Sequence, residues 1–509
     1  MQNVLSFGEK HGKLTLFHTN LSLKDKDPGW KILIVDEHAM RVISSAVGMY
    51  DIMERKVTLV ESLEKKRAPF PDMAAIYVLE PSTKSVRMLI ADFNSKPLYG
   101  KSVFLFFLGR LSDLLLNEIK GCTQLVRRVK SLLEVNIDFF AREERAFTFE
   151  SPPDTFASIY LRQSHTPVEV DIAQKLVTVC GSMNEYPHIR YTGDSAVCTS
   201  LASVFKLKMD EFVAQNPKWW YHGGPNKTQS AAMKERGTLL LLDRAEDLLS
   251  PLMHDFTYQS MVHDLIPMEG DRVTVASGEV ESSKDATKDV LLDEKDNIWV
   301  ELRGKHIAAV IETLSTRIRD IMNSGTGSAL AGSSSTGTLS LSQMAAALKA
   351  LPEYQEVLSK LSQHMHLSHQ CMDKFSSQQL LALAEIEQTL ATGKDEDGKS
   401  PKIADIMEQV ESELTKMRNM KDKIRLILIC IISCNGLRTQ DKRRLYAAAE
   451  LSAKDTRVLQ ESLDVLGLQV FNDNDKNRTI TGLPGYVPSS YAISLDQLSH
   501  STFLTIFHR

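Results

Sequence analysis

The sequence predicts α/β architecture followed by a large, mainly helical region. Three observations carry this. Short apolar runs rich in β-branched and aromatic residues alternate with helix-like stretches up to about residue 250, as expected of parallel strands covered on both faces. From Leu302 on, the periodicity turns helical. The length, 509 residues, allows roughly three domains at about 150 residues each.

Strand candidates are Lys31–Asp36, Val57–Glu61, Ala74–Glu80, Met88–Phe93 and Ser102–Leu108, with helix-like Met40–Glu54 and Asp113–Asn136 among them. This alternation predicts a doubly wound α/β domain over residues 1–137. Residues 136–150 add two extended segments, NIDFF and AFTFE, and Pro152–Pro153 punctuates the chain. Helical pattern at Val168–Met183 and Ser195–Gln215, then the very apolar strand Thr238–Asp243 (TLLLLD), predicts a second α/β unit over about 138–250. Helices are expected at Phe256–Leu265, Ile307–Met322, Leu341–Leu351, Glu353–Phe375, Gln378–Leu390, Lys402–Met420, Lys421–Cys434, Thr439–Ala449 and Lys454–Leu466. A Gly/Ser-rich segment, 325–337, interrupts them and is flexible by composition.

Composition excludes several classes. Apolar residues are 43% and charged residues 25%, as in soluble globular proteins, and the net charge of −5 argues against a nucleic-acid coat. The longest apolar helical run, Leu426–Ile432, is far below the ~20 residues of a membrane span. The N-terminus has no signal-peptide apolar core, so a cytoplasmic location is expected. Six scattered cysteines read as reduced thiols rather than a disulfide framework.

Few motifs suggest chemistry. Gly100-Lys101-Ser102 ends like a phosphate loop, but it lacks the earlier glycine, contains Pro97 and precedes a strand instead of following one. His364, His366 and His369 are spaced by two and three, which suits a polar helix face better than a metal site. Cys430 and Cys434 lie in an apolar run and read as core thiols. Asp243, Arg244 and Asp247 follow the TLLLLD strand; they read as a structural ion-pair lock, with an α/β enzyme site as the competing reading. No catalytic or metal constellation emerges, and this leans the reading toward binding.

Residues 239–266, LLLLDRAEDLLSPLMHDFTYQSMVHDLI, closely resemble the hallmark segment of the SM family, the Sec/Munc syntaxin-binding proteins. KILIVDEHAMRVISSAVGMYDIMERKVTLVE, EYPHIRYTGD, LLDEKDNIWVELRGKHIA and LPEYQEVLSKLSQHMHL also resemble that family, most of all its exocytic, plasma-membrane branch. The likeness covers about residues 28–470.

The resemblance implies a three-domain arch: an N-terminal α/β domain (1–137), a central α/β domain (138–248 with 471–509) and a mainly helical insertion (249–470). It implies a regulator of SNARE assembly in vesicle docking, membrane fusion and exocytosis, with an endosomal or Golgi step as the alternative. No catalysis and no cofactor are expected. The expected partners are a syntaxin-type Qa-SNARE, its assembled complex and a vesicle R-SNARE. A cytoplasmic monomer, recruited peripherally to the plasma membrane through syntaxin, follows. Carried over by alignment, Asp36, Arg41 and Glu61 would face the syntaxin cleft, and Asp113, Leu116 and Glu134 the syntaxin N-peptide pocket; Leu116 replaces the usual aromatic. A SNARE-binding hairpin would span about 307–354 with Pro352 as its hinge. Residues 486–509 depart from the family pattern, showing neither its Ser-Arg-Tyr helix nor its apolar strand before Gly-Gly, so the central domain is expected to be truncated or divergent there.

Overall fold

The computed structural model of the chain describes residues 29–94, 96–149, 151, 155–160, 166–216, 236–276, 287–327, 352–395, 397–434, 436–465 and 503–504. The chain divides into two compact units, Met1–Asp243 with Leu498–Arg509, and Arg244–Gln497. Among the described residues no helix is long and apolar enough to cross a membrane.

The first unit is built on a five-stranded parallel sheet. Its strands are β1 (Lys31–Val35), β2 (Val57–Ser62), β3 (Ala74–Leu79), β4 (Val103–Phe107) and β5 (Val129–Glu134), in the order β2-β1-β3-β4-β5. Every residue of β1, β3 and β4 is buried, which explains their uninterrupted apolar sequence. Helices α1 (Glu37–Ala46), α2 (Met49–Met53), α3 (Thr83–Ala91), α4 (Asp113–Gly121) and α5 (Thr123–Val126) connect them. Gly100 is required by packing: a Cβ there would lie 2.0 Å from the Pro71 carbonyl oxygen. The Gly-Lys-Ser run thus leads into β4 beside backbone.

Three local expectations are corrected. Met88–Phe93, expected as a strand, lies largely in α3, whose buried Ser85, Val86 and Leu89 follow helical spacing and whose N-terminus Ser82 caps. The long helix expected over Asp113–Asn136 gives way to β5, an edge strand whose half-exposed pattern resembles a helix face. Met40–Glu54 is broken into α1 and α2 because Val47 and Gly48 turn extended.

The first unit continues with the hairpin β6 (Phe140–Glu143) and β7 (Ala146–Thr148), α6 (Thr155–Tyr160), α7 (Thr166–Met183), β8 (His188–Tyr191), α8 (Ala196–Gln215) and β9 (Thr238–Leu241). A two-residue strand at the C-terminus, Phe503–Leu504, pairs parallel to β9 in a three-stranded sheet completed by β8. It joins the sheet from within the 486–509 segment, the rest of which lies outside the described residues. Strand β8, which the sequence reading missed, is mostly exposed and carries little apolar signal.

In the second unit, α9 (Tyr258–Leu265) precedes a small antiparallel sheet of β10 (Met268–Glu269), β11 (Arg272–Ala276) and β12 (Thr287–Leu291). Helices α10 (Asn297–Leu302), α11 (Ile307–Gly327), α12 (Pro352–Ser377), α13 (Leu380–Thr392), α14 (Ile403–Lys416), α15 (Met420–Ser433), α16 (Thr439–Ala448) and α17 (Ala453–Val465) follow. The expected helix at 341–351 and most of the Gly/Ser segment lie outside the described residues. One core gathers α13 to α17, with Ile427, Ile429, Cys430 and Ile431 fully buried; the neighbouring thiol of Cys434 and burial push Cys430 well above its ordinary pKa. The polar-face reading of His364 is corrected. It is 1% exposed, pairs through Nε2 with Asp296 at 2.9 Å, meets the Tyr258 hydroxyl at 3.0 Å through Nδ1 and stacks on Trp299. His366 and His369 remain on the exposed face.

Candidate functional site

In an open parallel sheet of this strand order, ligand-binding residues gather at the carboxyl ends of β1 and β3, where the chain reverses its direction of winding. Asp36 follows β1 there and is 2% exposed. Its Oδ1 accepts the Ala39 N–H at 2.8 Å and so caps α1; its Oδ2 accepts the Glu80 N–H and the Ser85 hydroxyl, each at 2.7 Å. With both oxygens engaged inside the chain, Asp36 is a positioning residue. It fixes the start of α1, which presents Arg41, against the segment that follows β3.

A cavity of about 320 Å³ opens at this point, lined by Asp36, Glu37, His38, Arg41, Glu64, Glu80, Lys84 and Ser85. Its polarity is mixed. Burial is the largest influence on the Glu80 carboxyl and raises it above the usual range, against the opposing pull of His38. For Glu64, burial acts upward too, but the Glu37 N–H, the Ser62 hydroxyl and Lys84 together bring it below the usual range. The His38 Nε2 pairs with Asp138 at 2.7 Å. Arg41 is exposed, and its guanidinium carbon lies over the Phe140 ring, 5.5 Å from its centre.

The structure thus brings Asp36 and Arg41 together at one cavity, while Glu61 is not among its lining residues. Glu61 lies opposite Ile34 in the β1–β2 register and accepts the hydroxyl of buried Tyr99 at 2.7 Å. Burial, and then this carboxylate, raise the Tyr99 pKa. Asp113 and Leu116 belong to the capped start of α4, and Glu134 ends β5; the Glu134 carboxylate accepts the Leu111 N–H at 2.9 Å, two residues before Asp113. Asp113 and Glu134 are exposed, whereas Leu116 packs partly against the sheet core. Their sequence neighbours Leu114 and Leu133 are exposed apolar residues.

Asp243 and the Arg244–Asp247 pair are each held locally. Asp243 accepts the Ser195 hydroxyl at 2.5 Å and the Tyr160 hydroxyl, which ties the end of β9 to α6 and α8 in the first unit. In the second unit Arg244 donates to the Asp247 carbonyl and lies 3.6 Å from its carboxylate, while that carboxylate accepts the Leu249 and Ser250 N–H groups. Pro352 is the first residue of α12. No group of three potential metal ligands occurs among the described residues.

Sequence reasoning missed Glu37, His38, Glu64, Glu80, Lys84, Ser85, Asp138 and Phe140. The two strand ends were legible as KILIVD and AAIYVLE, and the crossover rule would have singled out Glu37, His38 and Glu80. Asp138 and Phe140 lie about a hundred positions from His38, and nothing local announces that contact.

The Sec1 family profile matches residues 31–501. The chain is 36% identical over 434 residues to the protein transport protein sec1 of Dictyostelium discoideum, covering 84% of this chain and 68% of that protein. It is 29% identical over 458 residues to the SNARE-interacting protein KEULE of Arabidopsis thaliana, covering 88% of this chain and 66% of that one. The chain therefore spans about two thirds of the length of these curated relatives. Among solved structures, a chain of the Unc18–syntaxin 1 complex from Monosiga brevicollis superposes with a TM-score of 0.75 at 25% identity, over 95% of this chain and 85% of that one. The SM protein Vps45 in complex with the Qa SNARE Tlg2 gives 0.70 at 19% identity, over 90% and 76%, a likeness of fold alone. The α/β and helical architecture is that of an SM protein.

Proposed function

The chain belongs to the Sec1 family, and on that premise we propose that it binds a syntaxin-type Qa-SNARE and regulates SNARE assembly in vesicle docking and fusion during exocytosis. The observation that carries this reading is the likeness, over 95% of the chain, to a chain of the Unc18–syntaxin 1 complex. The identity to a sec1 transport protein favours the exocytic step.

The chemistry is binding without catalysis. A partner held in one conformation shifts its own equilibrium by differential affinity, which needs rigid contact residues and no reacting group. In the first unit, Asp36 supplies the rigidity and Arg41 the contact; a guanidinium can grip a carboxylate through two parallel hydrogen bonds. Glu61 contributes beside Tyr99, and Asp113, Leu116 and Glu134 form a separate N-peptide subsite. The α11–α12 region, about 307–354, receives the vesicle R-SNARE. The protein acts as a monomer in the cytoplasm and reaches the plasma membrane through its syntaxin.

Affinity capture from cytosol and detergent-solubilised membranes tests this directly. A plasma-membrane Qa-SNARE is expected on the immobilised chain, and Arg41→Glu is expected to lower its recovery. Recovery of no SNARE overturns the reading. Recovery of an endosomal or Golgi Qa-SNARE instead favours the second reading.

A further inference from the structure

We propose that the amino-terminal end of the five-stranded sheet is a membrane-contact surface, cationic on one side for anionic lipid headgroups and aromatic on the other for the interfacial layer. In a parallel sheet every strand starts at the same end, and each connecting helix runs back to that end. The residues that enter the strands and close the helices therefore collect on one face, opposite the carboxyl ends and the cavity at Asp36. Neighbouring strands stand about 4.8 Å apart, so β2 and β5 start about 19 Å from each other.

The β4–β5 side is cationic. Lys101 precedes β4, Lys120 lies in the last turn of α4, and Arg127 and Lys130 flank the start of β5. The Val103 N–H donates to the Arg128 carbonyl at 2.9 Å, which brings the segment of Lys101 beside that of Arg127. Val103 pairs with Val129 and Phe104 with Ser131, so Lys130 is the extra residue of a bulge, a place where side chains are re-aimed. Lys101, Lys120, Arg127 and Lys130 are all exposed and form no ion pair among the described residues. The β1–β2 side is aromatic. Trp30, just before β1, is 57% exposed; Tyr50 and Met53, three apart on α2 and so on one face, are 73% and 51% exposed. The Lys31 N–H donates to the Lys56 carbonyl at 2.9 Å, which brings Trp30 toward the end of α2. Arg55 and Lys56 also stand here, engaged with other groups of the chain. Acids are present too: Asp51 accepts the Gly48 N–H, Asp92 and Glu118 are ion-paired with Arg67 and Arg87, and Glu54 and Asp72 are exposed.

Tryptophan and tyrosine settle at a membrane interface with their polar tips in water, and long cationic side chains lie along apolar surface with their heads hydrated. An acidic protein segment would meet the cations and leave Trp30, Tyr50 and Met53 in water, whereas a bilayer surface meets both sides at once. The contact is peripheral, since no helix among the described residues can span a membrane. In a chain of net charge −5, a cationic end also selects which face an anionic surface attracts. The contact needs no SNARE and so goes beyond the proposed function.

Co-sedimentation of the full chain with SNARE-free vesicles tests this. The chain should partition onto phosphatidylserine-containing vesicles and not onto phosphatidylcholine alone, and more weakly as salt rises from about 50 to about 200 mM. Arg127→Gln with Lys130→Gln should weaken partitioning about thirtyfold, the effect of removing two charges near the surface, with the thermal transition retained. A control Arg443→Glu in the second unit should leave it unchanged. Brominated acyl chains should quench the tryptophan emission of the parent chain, and Trp30→Phe should remove that quenching. Equal partitioning onto both vesicles, undiminished partitioning of the double variant, or quenching that survives Trp30→Phe overturns the inference. So does a Glu-rich peptide that binds through Arg127 and Lys130 while vesicles do not, which assigns the surface to an acidic protein. A chain that captures its SNARE from detergent but ignores vesicles loses this inference and keeps the proposed function; the converse result does the reverse.

Discussion

The Oδ2 atom of Asp36 accepts the backbone N–H of Glu80 at 2.7 Å, so the residue that follows β1 holds the residue that follows its neighbour β3. The same oxygen accepts the Ser85 hydroxyl, and the other caps α1. Asp36→Ala removes a cap and strands two buried donors, which should destabilise the first unit by about 3 kcal/mol. Asp36→Asn can keep the cap but offers an amide nitrogen where an acceptor is needed, so about half that loss is expected. Hydrogen exchange over residues 37–46 should accelerate in both variants. Unchanged protection of that helix would remove Asp36 from the role given to it here.

A second buried network holds the other unit. Arg425 donates to Leu252 and Met253 carbonyls, to Asp264 at 2.7 Å and to the His254 Nε2 at 3.2 Å. A guanidinium only donates, so the His254 Nε2 is the acceptor and its Nδ1–H points to Glu387 at 2.9 Å. Arg425→Met would leave buried Glu387 and Asp422 and half-buried Asp264 short of a cation, and a loss of about 3–5 kcal/mol is expected. Arg425→Lys keeps the charge but loses the fork, so an intermediate loss is expected. Thermal unfolding of the two variants checks the order; equal stability of Arg425→Lys and the parent protein would contradict it.

Acid should loosen this network. Burial raises the Asp264 carboxyl, but Arg425 and Lys421 bring it below its ordinary value. His364 and the N–H groups of Trp299 and Ile298 do the same for Asp296 against burial. A carboxyl that titrates lower when folded contributes its full stability above its unfolded pKa, near 4, and loses it as pH falls through the folded value. Asp92 and Glu80 act with the opposite sign, because burial raises both. The melting temperature should therefore fall less steeply between about pH 5 and pH 3 in Asp264→Asn than in the parent. Parallel slopes would reject the assignment.

Pro352 begins α12. Proline has no N–H to donate and disfavours helix in the residue before it. Pro352→Ala should let α12 extend toward its N-terminus and raise R-SNARE recovery in a pull-down about threefold, a shift of under 1 kcal/mol. Unchanged recovery would deny Pro352 its hinge role.

Much of the framework was legible locally. Strands β1, β3 and β4 were visible as dense apolar runs, because strands buried on both faces need no polar residues; β9 was visible from its leucines, although only Leu239 and Leu241 are buried. Helices α8 and α11 to α17 were visible from their periodicity. Edge strands β5 and β8 were not, because half-exposed strands carry mixed sequence. The short antiparallel strands β10 to β12 were missed as well.

By itself the sequence determined the buried strands and most of the long helices, the family and the strand ends where charge could collect, since these depend on periodicity and on residues adjacent in the chain. Only the tertiary structure decided which charges are buried and which are exposed. It buried Asp36 and His364, left Arg41 exposed and set the Phe140 ring beneath its guanidinium. The physical reason is distance along the chain: His38 and Asp138, or His254 and Glu387, are separated by 100 and 133 positions, and only packing brings such groups within hydrogen-bond reach.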